Sequence, residues 1–286
     1  FLLDFYRYSY IFSQALFSTL ELLSIIPYNR ESLQIVGLIM KVRFAPSPTG
    51  NLHIGSVRTA LFNWVFAQKY QTQCVLRIED TDRARSLTKY EENILEGLDW
   101  LGLQMDEGPH LVSDQMKYRQ SERIESGAYQ QAIDQLLAAG HAYYCFETEA
   151  ELEAERDAAI AKGEAYVYSG KSRLLSSDEV SEKLAADTPY TIRFHIGEPQ
   201  TVVVNDLIRG DISFDTELLS DFVIMKSDGS PSYNFAVVVD DADMGITHVI
   251  RGEDHISNTP KQVLVYQALG ATIPKFAPLP IILGKD

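Results

Sequence analysis

"RFAPSPTGNLHIGS", residues 43–56, joins a strand-like start to a helix-like end through a stiff, turn-rich loop. The preceding "KVRFAP" (41–46) alternates polar and apolar residues and carries Val and Phe, the pattern of a strand. Pro46 and Pro48 end it, because proline cannot donate to a ladder. From Ile54 to Tyr70 the residues Val57, Leu61, Trp64, Val65 and Ala67 recur at helical spacing. A strand that feeds a helix N-terminus through such a loop is where a doubly wound sheet binds nucleotides. The free N–H groups and the positive end of the helix dipole favour phosphate there. Gly50 and Gly55 permit close backbone approach, and His53 at the helix mouth can donate a hydrogen bond to a phosphate oxygen. Neither G-x-G-x-x-G nor G-x-x-x-x-G-K-[ST] is present, so the usual dinucleotide and P-loop solutions are excluded. Read without its neighbours, His53 is a helix-terminus residue with a structural hydrogen bond.

Outward from this loop the strand–helix alternation continues. "CVLRIED" (74–80) reads as a second strand and "TDRARS" as a polar loop. A helix starts near Ser86, with Thr88 and Glu91 at capping-box spacing and Ile94, Leu95, Leu98 and Leu101 as its inner stripe. Strand, helix, strand, helix predicts a parallel sheet with crossovers. The middle of the chain changes character. A helix within 129–146 is closed by Gly140, and 149–162 reads as a charged surface helix. From Tyr190, "YTIRFHI" and "QTVVVNDLIRGDISF" alternate like antiparallel strands. Beyond 221, "AVVVD" and "THVIRG" read as buried strands separated by acidic turns, and "TPKQVLVYQALG" (259–270) as an amphipathic helix. The predicted fold is an α/β, Rossmann-type doubly wound parallel sheet, with halves at 40–114 and 221–286, interrupted by an inserted α+β module at 115–220.

The 286 residues suffice for this plan, and 45% hydrophobic with 23% charged residues suits a globular chain. The formal charge of −15 requires any nucleic-acid contact to use a local basic face on an acidic body. Cys74 and Cys145 form neither a disulfide framework nor a paired metal spacing, and a reducing, cytoplasmic setting follows. Residues 1–39 differ from the rest: they are apolar and aromatic, with Asp4, Arg7 and Glu21 scattered through them. They lack the basic start and cleavage site of a signal peptide. Their charges break any run of ~18 apolar residues that a membrane span needs. The chain begins at Phe1, and Met40 directly precedes "KVRFAPSPTG". The expectation is that 1–39 is a non-native or disordered extension.

"PSPTGNLHIG" resembles the HIGH signature of class I aminoacyl-tRNA synthetases, in the form of the glutamyl-tRNA synthetase family. "RIEDTDRARS" (77–86), "LDWLGLQMDEGP" (98–109), "GSPSYNFAVVVDDADMGITHVIRGEDHISNTPKQ" (229–262) and "APLPIILGKD" (277–286) resemble the same family in the same order. The resemblance covers 41–286. The glutaminyl relatives carry P-E-P-N-G and R-F-D-D-T-N where this chain has "PSPTG" and "RIEDTD", which favours glutamate.

The resemblance implies a glutamate–tRNA ligase. Glutamate is activated by ATP and transferred to tRNA(Glu), with activation requiring bound tRNA. It assigns His53, with Thr49 and Gly55, to catalysis at the phosphates. Asp254, Ile281 and Ile282 join His53 and Gly55 around ATP. Arg43, Arg251 and Tyr233 meet the substrate's side-chain carboxylate, since a guanidinium fork pairs carboxylates bidentately. Glu79 meets its ammonium, helped by the Ala45 carbonyl and Ser47. Val237 stands where some members have Asn. On residue type alone, Arg43 would be a solvated strand residue and Glu79 a salt-bridge partner of Arg77 or Arg83. Asp80, Asp82 and "VVVDDAD" (237–243) read as loop caps and solvated turns rather than metal ligands. Mg²⁺ is expected to travel with ATP. Zinc is not expected, because Cys145 has Ser172 where a further ligand would stand and a closed tetrahedral site needs four. The chain ends before the family's Lys-Leu-Ser-Lys-type loop and anticodon-reading domains, so a truncated, monomeric catalytic fragment is expected. The alternatives are the paralogue that attaches glutamate to a modified base of tRNA(Asp), and a non-catalytic nucleotide- or tRNA-binding relic.

Overall fold

A computed structural model describes residues 40–111 and 118–282. The reading of 1–39 therefore lies outside the described residues. Strand β1 (Lys41–Phe44) is buried along Val42, Arg43 and Phe44. Helix α1 (Ile54–Tyr70) carries the chain back, and β2 (Gln73–Leu76) pairs with β1 in parallel, Arg43 opposite Val75. The ladder outlasts β2: Arg77 N–H donates to Phe44 O (3.0 Å) and Glu79 N–H to Pro46 O (3.0 Å). Helix α2 (Thr88–Trp100) follows.

The middle segment holds α3 (Gln120–Glu125), α4 (Ala128–Ala138), β3 (Ala142–Cys145), α5 (Glu149–Ala161), α6 (Ser177–Ala185), β4 (Thr191–Phe194), β5 (Thr201–Asp206) and β6 (Gly210–Asp215). The chain ends with β7 (Phe222–Met225), α7 (Tyr233–Asp243), β8 (His248–Gly252), α8 (Thr259–Ala268) and β9 (Lys275–Leu279). Strands β3, β4 and β7 form an antiparallel sheet. Strand β9 lies between β8 and β5, parallel to both, and β6 closes the edge antiparallel to β5. Strand β8 runs beside β1, tied by Thr247 N–H to Lys41 O (2.9 Å) and Lys41 N–H to Thr247 Oγ1 (2.8 Å). The carboxyl ends of β1, β8 and β9 thus face one edge, where open α/β sheets bind ligands. Strand pairing crosses residue 220 twice, through β4–β7 and β5–β9.

Two apolar cores support this edge. One joins β1, β2, α1 and α2 to Ile250, Ala277 and Leu279; the other joins α4, α7 and α8 to the strands of the middle segment.

The structure corrects several local readings. "AVVVD" is helix, not strand: it lies inside α7, where every residue from Phe235 to Asp241 is buried. A run buried all round has no polar face, so periodicity cannot separate helix from strand. Helix α8 is likewise buried on most sides rather than amphipathic. The buried face of α1 is Ala60, Asn63, Phe66 and Ala67 with Leu61 and Phe62, whereas Trp64 and Val65 are only partly covered. No capping box forms at Thr88; Leu87 is the N-cap, and Glu91 instead accepts from Arg119 Nε and Nη2 (2.9 and 2.8 Å). Capping boxes form at Thr148–Glu151 and Ser176–Glu179. The surface helix α5 buries no residue, as its composition predicted. No helix among the described residues is long and apolar enough to cross a membrane.

Candidate active site

The proline-rich loop is clamped to α2. Leu87 N–H donates to Pro48 O (3.2 Å) and Leu52 N–H to Asn93 Oδ1 (2.8 Å). The Leu52 side chain occupies the notch left by Gly97, where a Cβ would lie 2.6 Å from Leu52 Cδ2. Asn93 and Gly97 were not singled out from sequence; helix-interior Gly in an otherwise apolar stripe was the available signal. Thr49 and Ser47 are exposed, with Thr49 N–H donating to Ser47 O (2.9 Å).

His53 is the N-cap of α1 in extended conformation (φ −120°, ψ 166°). Its Nδ1 accepts from Ser56 N–H (3.4 Å), and Nε2 lies 3.0 Å from Ser56 Oγ. The structural role weighed from sequence is therefore present, on a ring that is also exposed at the helix mouth. Gly55 leaves space for that ring: a Cβ would stand 3.1 Å from its Cε1 and Nδ1.

Ile281 and Ile282 are exposed next to this mouth. Arg58 of α1 donates to Pro280 O, and Ile281 N–H donates to Glu253 Oε1 (2.9 Å). Arg209 in turn pairs with Glu253. Asp254 is exposed, with Oδ2 3.6 Å from His255 Nε2. A Cβ on Gly252 would fall 2.3 Å from Asp254 Oδ1, so the exposed Asp254 side chain would have to turn aside.

Among the amino-acid-binding candidates, Arg43, Glu79, Val237 and Arg251 are buried, Ala45 and Tyr233 are half-buried and Ser47 is exposed. Arg43 Nε donates to both Asp241 oxygens (3.2 and 3.3 Å). Glu79 pairs with Arg77 (3.1 Å), one of the two salt-bridge partners its residue type allows. Burial raises the Glu79 pKa, and the nearby Arg77 and Arg43 charges only partly offset this. Tyr233, at the first turn of α7, has its hydroxyl 3.2 Å from His255 Nδ1. Its pKa is pushed up to about 12, first by burial and then by Glu79, with Arg251 and Arg43 opposing. Val237 is buried one turn further along α7.

Arg251 is the exception in this cluster. It is 7% exposed, and its Nη2 donates to Thr259 Oγ1 (2.9 Å) and more distantly to His255 O (3.5 Å). Its Nη1 has no partner, and no carboxylate pairs with it among the described residues. Burial lowers its pKa, with Arg43 adding to the effect. The open edge of a guanidinium has the geometry to pair a carboxylate.

The acidic run 237–243 is the main correction. Asp240 and Asp241 are fully buried, not solvated. Asp241 accepts from Arg77 Nη1 (2.6 Å) as well as Arg43. Asp240 accepts from Gln120 Nε2 (2.7 Å), Arg123 Nε (2.6 Å) and Tyr129 OH (2.9 Å). Asp80 does cap a loop, accepting from Ser121 N–H and Oγ–H (2.8 and 2.6 Å), and Asp82 accepts from Arg85 N–H and Nε–H (3.2 and 2.7 Å). No group of three or more His, Cys, Asp or Glu side chains able to hold a metal ion lies among the described residues.

Cys145 and Ser172, the positions weighed for zinc, converge on Glu147. Its Oε2 accepts from Cys145 Sγ (3.0 Å), Tyr168 OH (3.0 Å) and Ser172 Oγ (2.7 Å), and its Oε1 from Ser172 N–H (2.9 Å). Both cysteines are free and buried.

Residues 39–286 match the family model of class I tRNA synthetases (E and Q), catalytic domain. The chain belongs to this family. Among curated relatives, a protein named glutamate–tRNA ligase from Aquifex aeolicus is 55% identical over 247 residues, 86% of this chain and 50% of its own length. One of the same name from Carboxydothermus hydrogenoformans is 53% identical over 248 residues, 87% of this chain and 51% of its own length. The crystal structure of a glutamate tRNA ligase from Elizabethkingia meningosepticum, in complex with its amino acid, superposes with TM-score 0.81 at 43% identity, covering 87% of this chain and 51% of that one. The chain thus spans about half the length of the relatives it matches. The site lies on the class I synthetase catalytic fold, at the carboxyl edge of its parallel sheet.

Proposed function

We propose that this chain forms the catalytic part of an enzyme that joins L-glutamate to tRNA(Glu) through a glutamyl-adenylate. The observation that carries the reading is Arg251: a buried cation with an open edge, in a cluster with Arg43, Tyr233 and Glu79. Glutamate supplies what the cluster lacks, a side-chain carboxylate for Arg251 and Arg43. Its ammonium suits Glu79, with the Ala45 carbonyl and Ser47 beside it. Val237 adds only apolar contact. The name shared by relatives at 53–55% identity supports glutamate as substrate.

In the first step a glutamate α-carboxylate oxygen bonds to the α-phosphorus of ATP, and the bond to the β-phosphate oxygen breaks, releasing pyrophosphate. In the second, a terminal ribose hydroxyl of tRNA attacks the acyl carbon, loses its proton, and AMP leaves. Neither step needs a protein nucleophile, so catalysis rests on placement and charge stabilisation. His53 and the α1 N-terminus, flanked by Thr49 and Gly55, face the phosphates; Asp254, Ile281 and Ile282 border the nucleoside. Mg²⁺ travels with the ATP phosphates. The inserted module at 115–220 meets the tRNA acceptor end, and the enzyme works in the cytoplasm as a monomer. The test is charging by the intact protein: tRNA(Glu) with glutamate is the expected product. Charging with glutamine alone, or with neither amino acid, overturns the reading.

A further inference from the structure

One carboxylate lies behind both sides of the amino-acid pocket. Asp241 is 1% exposed and sits on α7. Its oxygens receive Arg43 Nε (3.2 and 3.3 Å) and Arg77 Nη1 (2.6 Å), with Tyr266 OH at 3.4 Å. Arg77 is 0% exposed, and its Nη2 holds Glu79 Oε1 at 3.1 Å. Arg77 and Glu79 are two residues apart on the extended chain beyond β2, so their side chains leave on one side. Asp241 therefore grips the pocket's cation, Arg43, directly, and its anion, Glu79, through a single planar guanidinium.

Burying these charges is costly, and apolar residues of like volume would hold the same elements together at least as well. What apolar packing cannot do is set the direction of a guanidinium edge. We propose that Asp241 is the positioning residue of the amino-acid pocket: it aims Arg43 at the substrate's side-chain carboxylate and, through Arg77, aims Glu79 at its ammonium. Asp241 itself contacts no substrate. This inference rests on the glutamate reading above. It adds that discrimination at the two ends of glutamate is coupled through one aspartate.

The test uses the intact protein and three probes in competition: glutamate, glutarate, which lacks the ammonium, and 2-aminopentanoate, which lacks the side-chain carboxylate. The wild type should prefer glutamate to each. In Asp241→Asn both preferences should fall, each about 10-fold or more, while the KM for ATP stays within about twofold. Arg77→Lys keeps the charge but loses the fork. It should lower the preference over glutarate alone, because Arg43 still rests on Asp241. If Asp241→Asn does not fold, Asp241→Glu, which keeps the charge but displaces the carboxylate from both arginines, takes its place, and both preferences should again fall. Retention of both preferences in Asp241→Asn, an equal rise in the KM for ATP, or loss of both preferences in Arg77→Lys overturns the inference. If the wild type itself shows no preference for glutamate, the glutamate reading fails instead.

Discussion

Two carboxylate networks in this chain, one buried and one half-buried, are built in opposite ways. At the pocket, Asp240, Asp241 and Glu79 are matched to arginines, and one arginine, Arg251, is left with an open edge. In the middle segment, Glu147 is surrounded by uncharged donors from Cys145, Tyr168 and Ser172, with both oxygens occupied. A closed set of neutral donors holds chain segments together and asks for nothing more. A set of charges with one partner missing is stable only until a ligand of the right sign improves it. The Glu147 network suits rigidity; the pocket network, with Arg251 open, suits the recognition proposed above.

The sharpest way to break this contrast is to remove the open cation. Arg251→Ala should lower kcat/KM for glutamate about 10³-fold, since losing one partner of a buried charge pair costs 2–5 kcal/mol, roughly. Its melting temperature should hold or rise, because no carboxylate is stranded in the free protein. Pyrophosphate exchange and a thermal melt together check this; a large drop in melting temperature with unchanged kinetics would reverse the assignment.

His53→Ala should act on rate alone. Losing one preorganised donor at a transferring phosphate costs about 10²–10³ in rate, with glutamate affinity retained. An unchanged turnover number would leave His53 with only its N-cap role.

At the other network, Glu147→Gln should affect stability and spare the chemistry. It weakens four hydrogen bonds to a charged acceptor, a loss of about 2 kcal/mol, with kcat for adenylate formation within about twofold. Denaturant melts and exchange kinetics on the same preparation separate the two.

The smallest effect is the pH dependence of that loss. Burial acts to raise the Glu147 pKa, but the hydrogen bonds from Cys145, Ser172 and Tyr168 outweigh it and bring it down to about 2, from an ordinary value of 4.5. A depressed folded pKa stabilises above the unfolded value and ceases to do so as pH falls through the folded one. The stability difference between wild type and Glu147→Gln should be constant above about pH 5 and shrink between 4.5 and about 2. Glu79, whose pKa is raised, acts in the opposite sense, whereas Asp241, where Arg43 and Arg77 outweigh burial and lower the pKa, acts in the same sense as Glu147.

How much could be read in advance differs between these regions for a physical reason. The loop 45–50, the helix mouth at His53 and the strand at His248–Gly252 announce themselves through proline, glycine and local periodicity, which act over a few residues. The Glu147 cluster was half legible: Cys145 and Ser172 drew notice, but as positions for a metal rather than as donors to a carboxylate between them. Residues 237–243 were misread twice, as strand and as solvated turn. Their burial on all sides removes the periodic signal, and an Asp pair looks solvated until its arginines are known.

Local sequence was therefore enough to determine the strand–helix–strand–helix order of 41–100, the turn-rich loop between β1 and α1, and the resemblance that points to glutamate. Tertiary structure alone decided that Asp240 and Asp241 are buried, that Arg43 and Arg77 share one carboxylate, and that Arg251 is the cation left open. Those facts depend on pairs such as Arg77–Asp241, separated by 164 residues. Charge pairing over that span is set by how the sheet and α7 pack, and composition near either residue carries no trace of it.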